Sequence, residues 1–536
     1  MLLITDIYNV SSVPPYIGGL NRGKVKGSLN RRVNAIRVSN ESMHLTALDL
    51  LTSGCISHHK RFPPSSLSSF SLHFGHLTSS PAFINSLRLC STVSTSASTS
   101  RQFPTVGEHI IQRAVHLLCS YFQLNSDQAK VVTLVGSWFS TLSSPENDIL
   151  LVHGVFGSGK SHLLACTIQL LSILSASTLR PVKCLVSANT NVAVDRILLQ
   201  LLALAQCPSW EEAMLREFPS HSTFGQLPVR VGCVSRVDKA LRKDCLLLQA
   251  DSIAAAKSDI LRALKHDKDP NLAALLKDAS STDFLTRQRR RLERANVIGT
   301  TCASATSSLF DNLRFDVLIL DEATQMIEPV SLLPLARAFA CKLIVVGDPK
   351  QLPPIVSSTS SPSSLIRTTL FDRLTQNKWP NIMLRTQYRC HPDIADVCSQ
   401  LFYNDQILHG SSLLQRRPAF SQLPPLTVVL NEGKEVQKGS SCVNEAEARL
   451  VKDLVSAMLL SSPSTTIGVI CMYKPQVALI TSLLTPQLEK CQDVLRVSTV
   501  DSFQVLNAYI NAPCIRLTIH GPHVGARDGY RYSHND

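Results

Sequence analysis

From about residue 106 onward, short apolar runs alternate with amphipathic stretches of helical length. "DILLVHG" (148–154) predicts a buried strand, and "SHLLACTIQLLSILSA" behind it a helix. "VKCLVSA" (182–188) predicts the next strand and "NVAVDRILLQLLAL" the next helix. Further strands are predicted at "VRVGCV" (229–234), "NVIGTTC" (296–302), "DVLILD" (316–321) and "CKLIVVGD" (341–348). Apolar runs of this length between helices indicate an α/β fold, a parallel sheet covered on both faces. Residues 236–295 break the pattern with polar helix ending in "RQRRRLERA". They predict a helical insertion whose basic run is more often a solvated face than a binding site. A second alternation starts near 380 with "NIMLR", "LTVVLN", "TTIGVICMY" and "LRVSTV", and "NEAEARLVKDLVSAMLL" predicts a helix between the middle pair. The organisation expected is therefore a region 1–105, a first domain 106–378, a partial second domain 379–504 and an atypical tail 505–536.

Residues 1–105 are Ser-rich and acid-poor, with basic spots "NRGKVKG" and "NRRVNAIR" and the low-complexity run "STVSTSASTS" (91–100). That composition predicts disorder. A transit peptide is the lesser alternative, because Asp6 sits near the start. The net charge of +13 suits an anionic partner, although a merely basic soluble protein explains it as well. The 16 cysteines are scattered, with no pair at Cys-x2-4-Cys spacing, so no zinc pair is expected, and free thiols point to a reduced, intracellular setting. No apolar run is long enough to span a bilayer, and "MLLITDIYNV" lacks the basic and apolar regions of a secretory signal.

"GVFGSGKS" (154–161) spells a phosphate loop between a strand and a helix. Gly154, Gly157, Ser158 and Gly159 let the backbone N–H groups face a phosphate; Lys160 reaches the β- and γ-phosphates and Ser161 ligates Mg²⁺. "VLILDEA" (317–323) ends an apolar strand in two acids. Asp321 suits the Mg²⁺ shell and Glu322 the orientation and deprotonation of an attacking water. Alone, such a strand end is usually a solvated turn; behind a phosphate loop the functional reading dominates. "GDPKQLPP" (347–354) offers Gln351 to the γ-phosphate or the water. "QYRCHP" (387–392) offers Arg389 for transition-state charge and Tyr388 for stacking on a base; a surface pair is the bland alternative. In "LNSDQ" (124–128), Gln128 has the donor and acceptor to read an adenine edge, although a helix-capping Asn and a surface Gln explain the stretch equally. "SANTNVAVD" (187–195) and "GTTCASA" (299–305) follow strand ends with small polar side chains suited to phosphodiesters, or to capping helices.

The order and spelling of these elements, with "VSTVDSFQ" behind them, resemble superfamily 1 helicases of the up-frameshift-like group. Val-Phe in "HGVFGSGKS", with "LLPLAR", "LFDRL" and "LRTQYRCHP", is most similar to the branch of DNA helicases that carry a GRF zinc finger. The resemblance implies two RecA-like P-loop domains binding ATP and Mg²⁺, the second truncated here. It implies 5′ to 3′ movement on a single strand, DNA favoured over RNA, with no membrane involved, and the location expected is nuclear. Lys160, Ser161, Asp321, Glu322, Gln351 and Arg389 take the family's nucleotide roles, Tyr388 stacks on adenine and Gln128 reads it. Thr190, Asn191, Thr300 and Thr499 fall on positions that touch the nucleic-acid backbone. The family continues after its "VSTVDSFQ" with Gly, an acidic ribose ligand and an "NVALTRAK"-like segment bearing a second γ-phosphate arginine. Here Val505 follows Gln504 and the tail matches neither element. The pattern is thus expected to stop at Gln504, leaving an unpaired strand edge. The competing expectation is a module that holds ATP and single strands without unwinding; a small-molecule kinase is disfavoured by "GDPKQLPP" and "QYRCHP".

Overall fold

The computed structural model describes residues 103–500, apart from short gaps of which 356–366 and 411–423 are the longest, and the strand Cys514–Ile519. The region expected to be disordered lies almost wholly outside the described residues, as do Asp501, Gln504 and most of the tail. The chain divides into two compact units, one running to Thr386 and one from Gln387.

The first unit is built on eight strands: β1 (Ile149–Gly154), β2 (Cys184–Ala188), β3 (Val229–Gly232), β4 (Cys245–Leu247), β5 (Val297–Thr301), β6 (Val317–Asp321), β7 (Lys342–Gly347) and β8 (Asn381–Leu384). Their order is β4-β3-β5-β2-β6-β7-β1-β8, and all their pairings are parallel. Strand periodicity sorts the side chains: Leu150 and Val152 enter the core on one face, Ile149 and Leu151 that on the other. The first face is covered by α1 (Glu108–Tyr121), α2 (Ser126–Gly136), α3 (Lys160–Ala176) and α4 (Asn191–Ala205), with α5 (Pro208–Glu217) beyond them. Helix α3 is apolar nearly all round, and Leu163 to Leu171 are buried without a break.

Within residues 236–295 lie α6 (Ile253–His266), α7 (Pro270–Asp278) and α8 (Phe284–Arg294). This stretch has a small core of its own around Ile260, Leu272 and Phe284. Asp259 ties it to the end of β3 by accepting from the Val234 amide and the Ser235 hydroxyl, at 2.8 and 3.0 Å. Strand β4 lies inside the stretch read as purely helical; its three residues are too few to show a period.

"NIMLR" is also placed differently. It is not the opening of the second alternation but β8, paired with β1 at the edge of the first sheet. Helices α9 (Glu328–Ala338) and α10 (Leu370–Gln376) complete this unit.

The second unit opens on β9 (Thr386–Gln387), which pairs with β10 (Leu408–His409), and α11 (Pro392–Phe402). The hairpin β11 (Val436–Lys438)–β12 (Ser441–Val443) precedes α12 (Glu445–Ser461). A three-stranded parallel sheet follows, of β13 (Thr466–Cys471), β14 (Leu495–Thr499) and β15 (Cys514–Ile519), in the order β14-β13-β15 with α13 (Lys474–Leu483) against it. The expected strand at "LTVVLN" is absent among its described residues, and Leu426 and Val429 are exposed. The tail adds a strand to this sheet: β15 pairs with β13 in register from Thr466↔Cys514 to Cys471↔Ile519, so that β14 and β15 are the outer strands.

The cysteines of the described residues are free. Burial pushes the thiols of Cys166, Cys245, Cys302 and Cys471 up to about 12. Cys207, just before α5, goes the other way, to about 7, because the Ser209 hydroxyl, the Trp210 amide and the Tyr121 hydroxyl favour its thiolate. Among the described residues no single helix is long and apolar enough to cross a membrane.

Candidate nucleotide and nucleic-acid site

The parallel sheet brings the tips of β1, β7 and β6 side by side at its C-terminal edge, where open α/β sheets hold ligands. The chain leaves β1 at Gly154 and enters α3 at Lys160 through Gly157 and Gly159, with φ of 66° and 76°. A side chain at Gly159 would be strained by that φ, and its Cβ would stand 3.1 Å from Gln128 Nε2. At Gly154 a Cβ would fall 2.3 Å from Lys160 Cγ, so a side chain there would push Lys160 from its place over the loop. Gly159 gives α3 no side-chain cap, which leaves the first helical N–H groups available to an anion. Ser158 is buried and its hydroxyl donates to the Val155 carbonyl at 2.8 Å, which fixes the turn from inside. Lys160 Nζ donates to the carbonyls of Gly154 and Val155, at 2.8 and 3.3 Å, and so stands over the loop. Ser161 follows in the first turn, half-buried.

Asp321 closes β6 with only 2% of its surface exposed, and its Oδ1 has no hydrogen-bond partner. Burial, and then the Glu322 carboxylate, push its pKa well above the usual carboxylate range, while Lys160 and Arg196 oppose the shift. A buried carboxylate oxygen left unpaired beside a phosphate-loop lysine fits a cation with phosphate oxygens, which would satisfy it. Glu322 adopts a left-handed backbone, φ 55°, rare for a side chain of its kind, and its Oε2 accepts from Gln325 Nε2 at 2.8 Å. Between these tips, at the end of β7, Gln351 Nε2 donates to Asp348 Oδ2 at 2.7 Å, and the other oxygen of Asp348 lies 3.1 Å from His153 Nε2 on β1. The His153–Asp348 link escaped sequence reading: the two residues sit in separate motifs 195 positions apart, and neither was given a role of its own.

Gln128 is not a surface residue. It is 4% exposed and donates from Nε2 to the Ser158 carbonyl at 3.1 Å. Its Oε1 accepts from the Asn125 amide at 3.2 Å, while Asn125 Oδ1 accepts from the Gln128 amide at 3.0 Å, a reciprocal cap on α2. The side-chain amide keeps one hydrogen and one lone pair beyond these bonds. Next to it, Asp127 accepts both Nε and Nη2 of Arg385, each at 2.9 Å, which pins α2 to the residue after β8. The guanidinium holds the Asp127 carboxyl below its ordinary range. Neither residue was singled out from the sequence, since an Asp and an Arg 258 residues apart carry no local signal.

Thr190 caps α4 by accepting from the Ala193 amide at 3.2 Å, and Asn191 begins the helix. Asn191 Oδ1 accepts from Arg230 Nη2 at 2.8 Å, and Arg230 Nε donates to Asp195 Oδ1 at 2.6 Å. Arg230 is fully buried, so β3 holds the N-terminus of α4 from below. Burial raises the Asp195 carboxyl despite that partner. Thr300 lies inside β5, fully buried with its hydroxyl unpartnered, and its side chain does not reach the surface.

In the second unit, the Gln387 side chain is fully buried and shapes the "QYRCHP" turn. Its Oε1 accepts from the Arg389 and Cys390 amides at 2.9 and 2.8 Å, and its Nε2 donates to the Cys390 carbonyl at 3.0 Å. Tyr388 and Arg389 are thereby presented from a fixed turn, and a Cβ at Gly410 would stand 2.1 Å from the Tyr388 ring. Thr499 ends β14 opposite Cys471. Sequence reading named Tyr388 and Arg389 and passed over Gln387, which holds the turn that carries them.

A family model described as an AAA domain matches residues 123–283 and 277–359, and a second of the same description matches 366–508. The chain is 36% identical over 408 residues to the 5′-3′ DNA helicase ZGRF1 of Mus musculus, covering 72% of this chain and 21% of that protein. It is 28% identical over 416 residues to the regulator of nonsense transcripts 1 homolog of Arabidopsis thaliana, covering 74% and 30%. It is likewise 28% identical over 413 residues to the ATP-dependent helicase NAM7 of Saccharomyces cerevisiae, covering 74% and 39%. The chain thus spans well under half the length of these relatives. The matched segments are those that carry the phosphate loop, the paired acids at the tip of β6 and the Tyr388–Arg389 turn, and the chain belongs to the superfamily 1 helicases of the up-frameshift-like group.

Proposed function

We propose that this chain is the core of an ATP-dependent nucleic-acid helicase or translocase, moving 5′ to 3′ on single strands with DNA favoured over RNA. The observation that carries the reading is the unpaired buried oxygen of Asp321 beside Lys160, at the edge where the uncapped N-terminus of α3 opens. The amides of the loop and of α3 would bind the phosphates, and Lys160 would exchange its carbonyl partners for phosphate oxygens. Asp321 and Ser161 would hold Mg²⁺, which when bound neutralises phosphate charge. Glu322, at the tip beside Asp321, would orient a water and accept its proton. Gln351, positioned by Asp348, would touch that water or the γ-phosphate. Arg389 would supply positive charge to the transition state, Tyr388 would stack on adenine and Gln128 would read its edge with its remaining hydrogen and lone pair. Thr190, Asn191 and Thr499 would lie along the strand, together with the backbone near Thr300. DNA preference is supported by the 5′-3′ DNA helicase among the relatives.

The test is steady-state ATP hydrolysis with and without single-stranded DNA or RNA, and strand displacement from duplexes tailed at the 5′ or 3′ end. Stimulation by single-stranded DNA and displacement from the 5′-tailed duplex are expected. Glu322→Gln should keep ATP binding and lose about 10²- to 10⁴-fold in turnover. Hydrolysis indifferent to nucleic acid, or unchanged in Glu322→Gln, would sink the reading.

A further inference from the structure

His153 is the one polar side chain of β1, "ILLVHG", and it stands directly before Gly154, where the phosphate loop begins. In the sheet it is in register with Gly347 of β7, which brings its imidazole to the residue that follows, Asp348. Nε2 lies 3.1 Å from Asp348 Oδ1, and the two side chains are 14% and 3% exposed. The ring also stands edge-on to Phe371, with centroids 6.5 Å apart. A carboxylate has no hydrogen to give, so Nε2 is the donor and carries the proton.

Asp348 gathers further donors. Its Oδ1 also accepts from the Lys350 amide at 3.1 Å, and its Oδ2 accepts from Gln351 Nε2 at 2.7 Å. Its own amide donates to Thr324 Oγ1 at 3.0 Å, and Thr324 is buried in the turn that follows Glu322. The end of β7 comes this close because Gly347 has no side chain; a Cβ there would stand 2.6 Å from Thr324 Cγ2. Asp348 therefore joins the tips of β1, β7 and β6, behind which the phosphate loop, Gln351 and Glu322 stand.

For Gln351 the consequence is chemical. A side-chain amide can present either its nitrogen or its oxygen by turning about one bond. A carboxylate partner accepts only, so it takes the nitrogen and turns the oxygen the other way. An amide oxygen accepts a proton from water and repels a phosphate oxygen. Of the two roles open to Gln351, this orientation serves the water. It holds only while the carboxylate is itself held. Without the imidazole, Asp348 loses the contact that ties it to β1, and its carboxylate can rotate away from Gln351.

We infer that His153 is a positioning residue for ATP hydrolysis: by donating to Asp348 it fixes the carboxylate that aims the amide oxygen of Gln351 at the attacking water. This rests on the ATP-hydrolysis reading above and deepens it, by assigning the water to Gln351 and a task to the last side chain of β1. A histidine that only filled the end of the sheet would act on stability and not through Gln351, and that difference can be measured.

The test is steady-state ATP hydrolysis by the full chain with saturating single-stranded DNA, over a range of ATP concentrations and at a temperature where each variant keeps the wild-type circular dichroism spectrum. His153→Phe keeps a ring against Phe371 and removes the donor. It should lower kcat about 10- to 100-fold, the scale of a misplaced catalytic group, with KM for ATP within about twofold. His153→Gln returns an N–H near the place of Nε2 and should recover kcat to within about threefold of wild type. Gln351→Ala should lose at least as much as His153→Phe, and joining the two should lower kcat by less than about twofold more. Asp348→Asn, which offers an amide nitrogen in place of one oxygen, probes the same link without touching β1. It should show the same kcat loss and the same lack of addition with Gln351→Ala. A wild-type kcat in His153→Phe overturns the inference, as does a loss carried by KM, a Gln variant as slow as the Phe variant, or losses that multiply in either double variant. If the wild-type chain hydrolyses no ATP, the proposed function falls and this inference with it. If the wild type hydrolyses ATP and Gln351→Ala is slow while His153→Phe is not, this inference falls alone.

Discussion

Replacing Arg230 with Met is the most searching perturbation of the first unit. Arg230 is fully buried and its guanidinium joins three places: Asp195 Oδ1 at 2.6 Å, Asn191 Oδ1 at 2.8 Å and the Val231 carbonyl at 2.5 Å. Met fills much of the same volume, so the packing loss is small and the electrostatic loss dominates. Asp195 is left with the Asp238 amide at 2.9 Å as its remaining bond. Removing one partner of a buried pair costs about 3–5 kcal/mol, because the other charge stays behind uncompensated. For a unit of this size each kcal/mol moves the melting temperature by roughly 2–4 °C, so the unfolding of the first unit should start about 10 °C earlier. Circular dichroism melting measures it. The control is Arg230→Met/Asp195→Leu, which removes the stranded carboxylate and should recover most of the loss, since apolar replacement of a buried pair is often close to neutral. A single variant that melts within 2–3 °C of wild type, or a double variant no better than the single, would refute the argument.

Other outcomes follow from the site. Lys160→Ala removes a charged phosphate contact of about 1.5–3 kcal/mol and should weaken ATP binding about 10- to 150-fold by titration calorimetry. Gly159→Ala meets both the positive φ and the Gln128 amide; left-handed backbone costs an ordinary residue about 1–2 kcal/mol, so the first unit should lose about that much stability, read as a lower melting temperature by circular dichroism. Asp127 is depressed in the folded state by Arg385, so its contribution is full above the unfolded value near 3.9 and is lost as pH falls through the lower folded value. Arg385→Gln should therefore melt below wild type at pH 7, and the gap should narrow steadily as pH is lowered below about 3.9; a gap that widens with acidification would contradict the assignment.

How much of this was legible in the sequence depended on whether the signal was local. Strands β1, β2, β5, β6 and β7 were readable because each is a buried run between helices. The phosphate loop and the acids at the tip of β6 were readable because their chemistry needs fixed neighbours in the chain. "NIMLR" was readable as a strand but assigned to the wrong sheet, since alternation says nothing about which edge a strand joins. "LTVVLN" has strand-like residues but forms no strand among its described residues, and the alternation of Ile515, Leu517 and Ile519 in β15 went unread because the tail carried no family motif. What could not be read at all were long-range pairs between ordinary residues. Arg385 reaches Asp127, His153 meets Asp348 and Arg230 holds Asn191, and each braces a stretch that carries or adjoins a residue named from the motifs: Gln128, Gln351 and Asn191 itself.

The buried thiols turn the molecule into its own unfolding reporter. With a pKa near 12, Cys166, Cys302 and Cys471 hold on the order of 1,000-fold less thiolate at neutral pH than an ordinary cysteine, so in the closed fold they are effectively inert to alkylation. They gain reactivity only when their surroundings open. Cys166 and Cys302 lie in the first unit and Cys471 in the second, so timed alkylation read by peptide mass would clock the opening of each unit separately, in one tube and without any mutation. Cys207, with its thiol near 7, would label at once and mark the start of the clock.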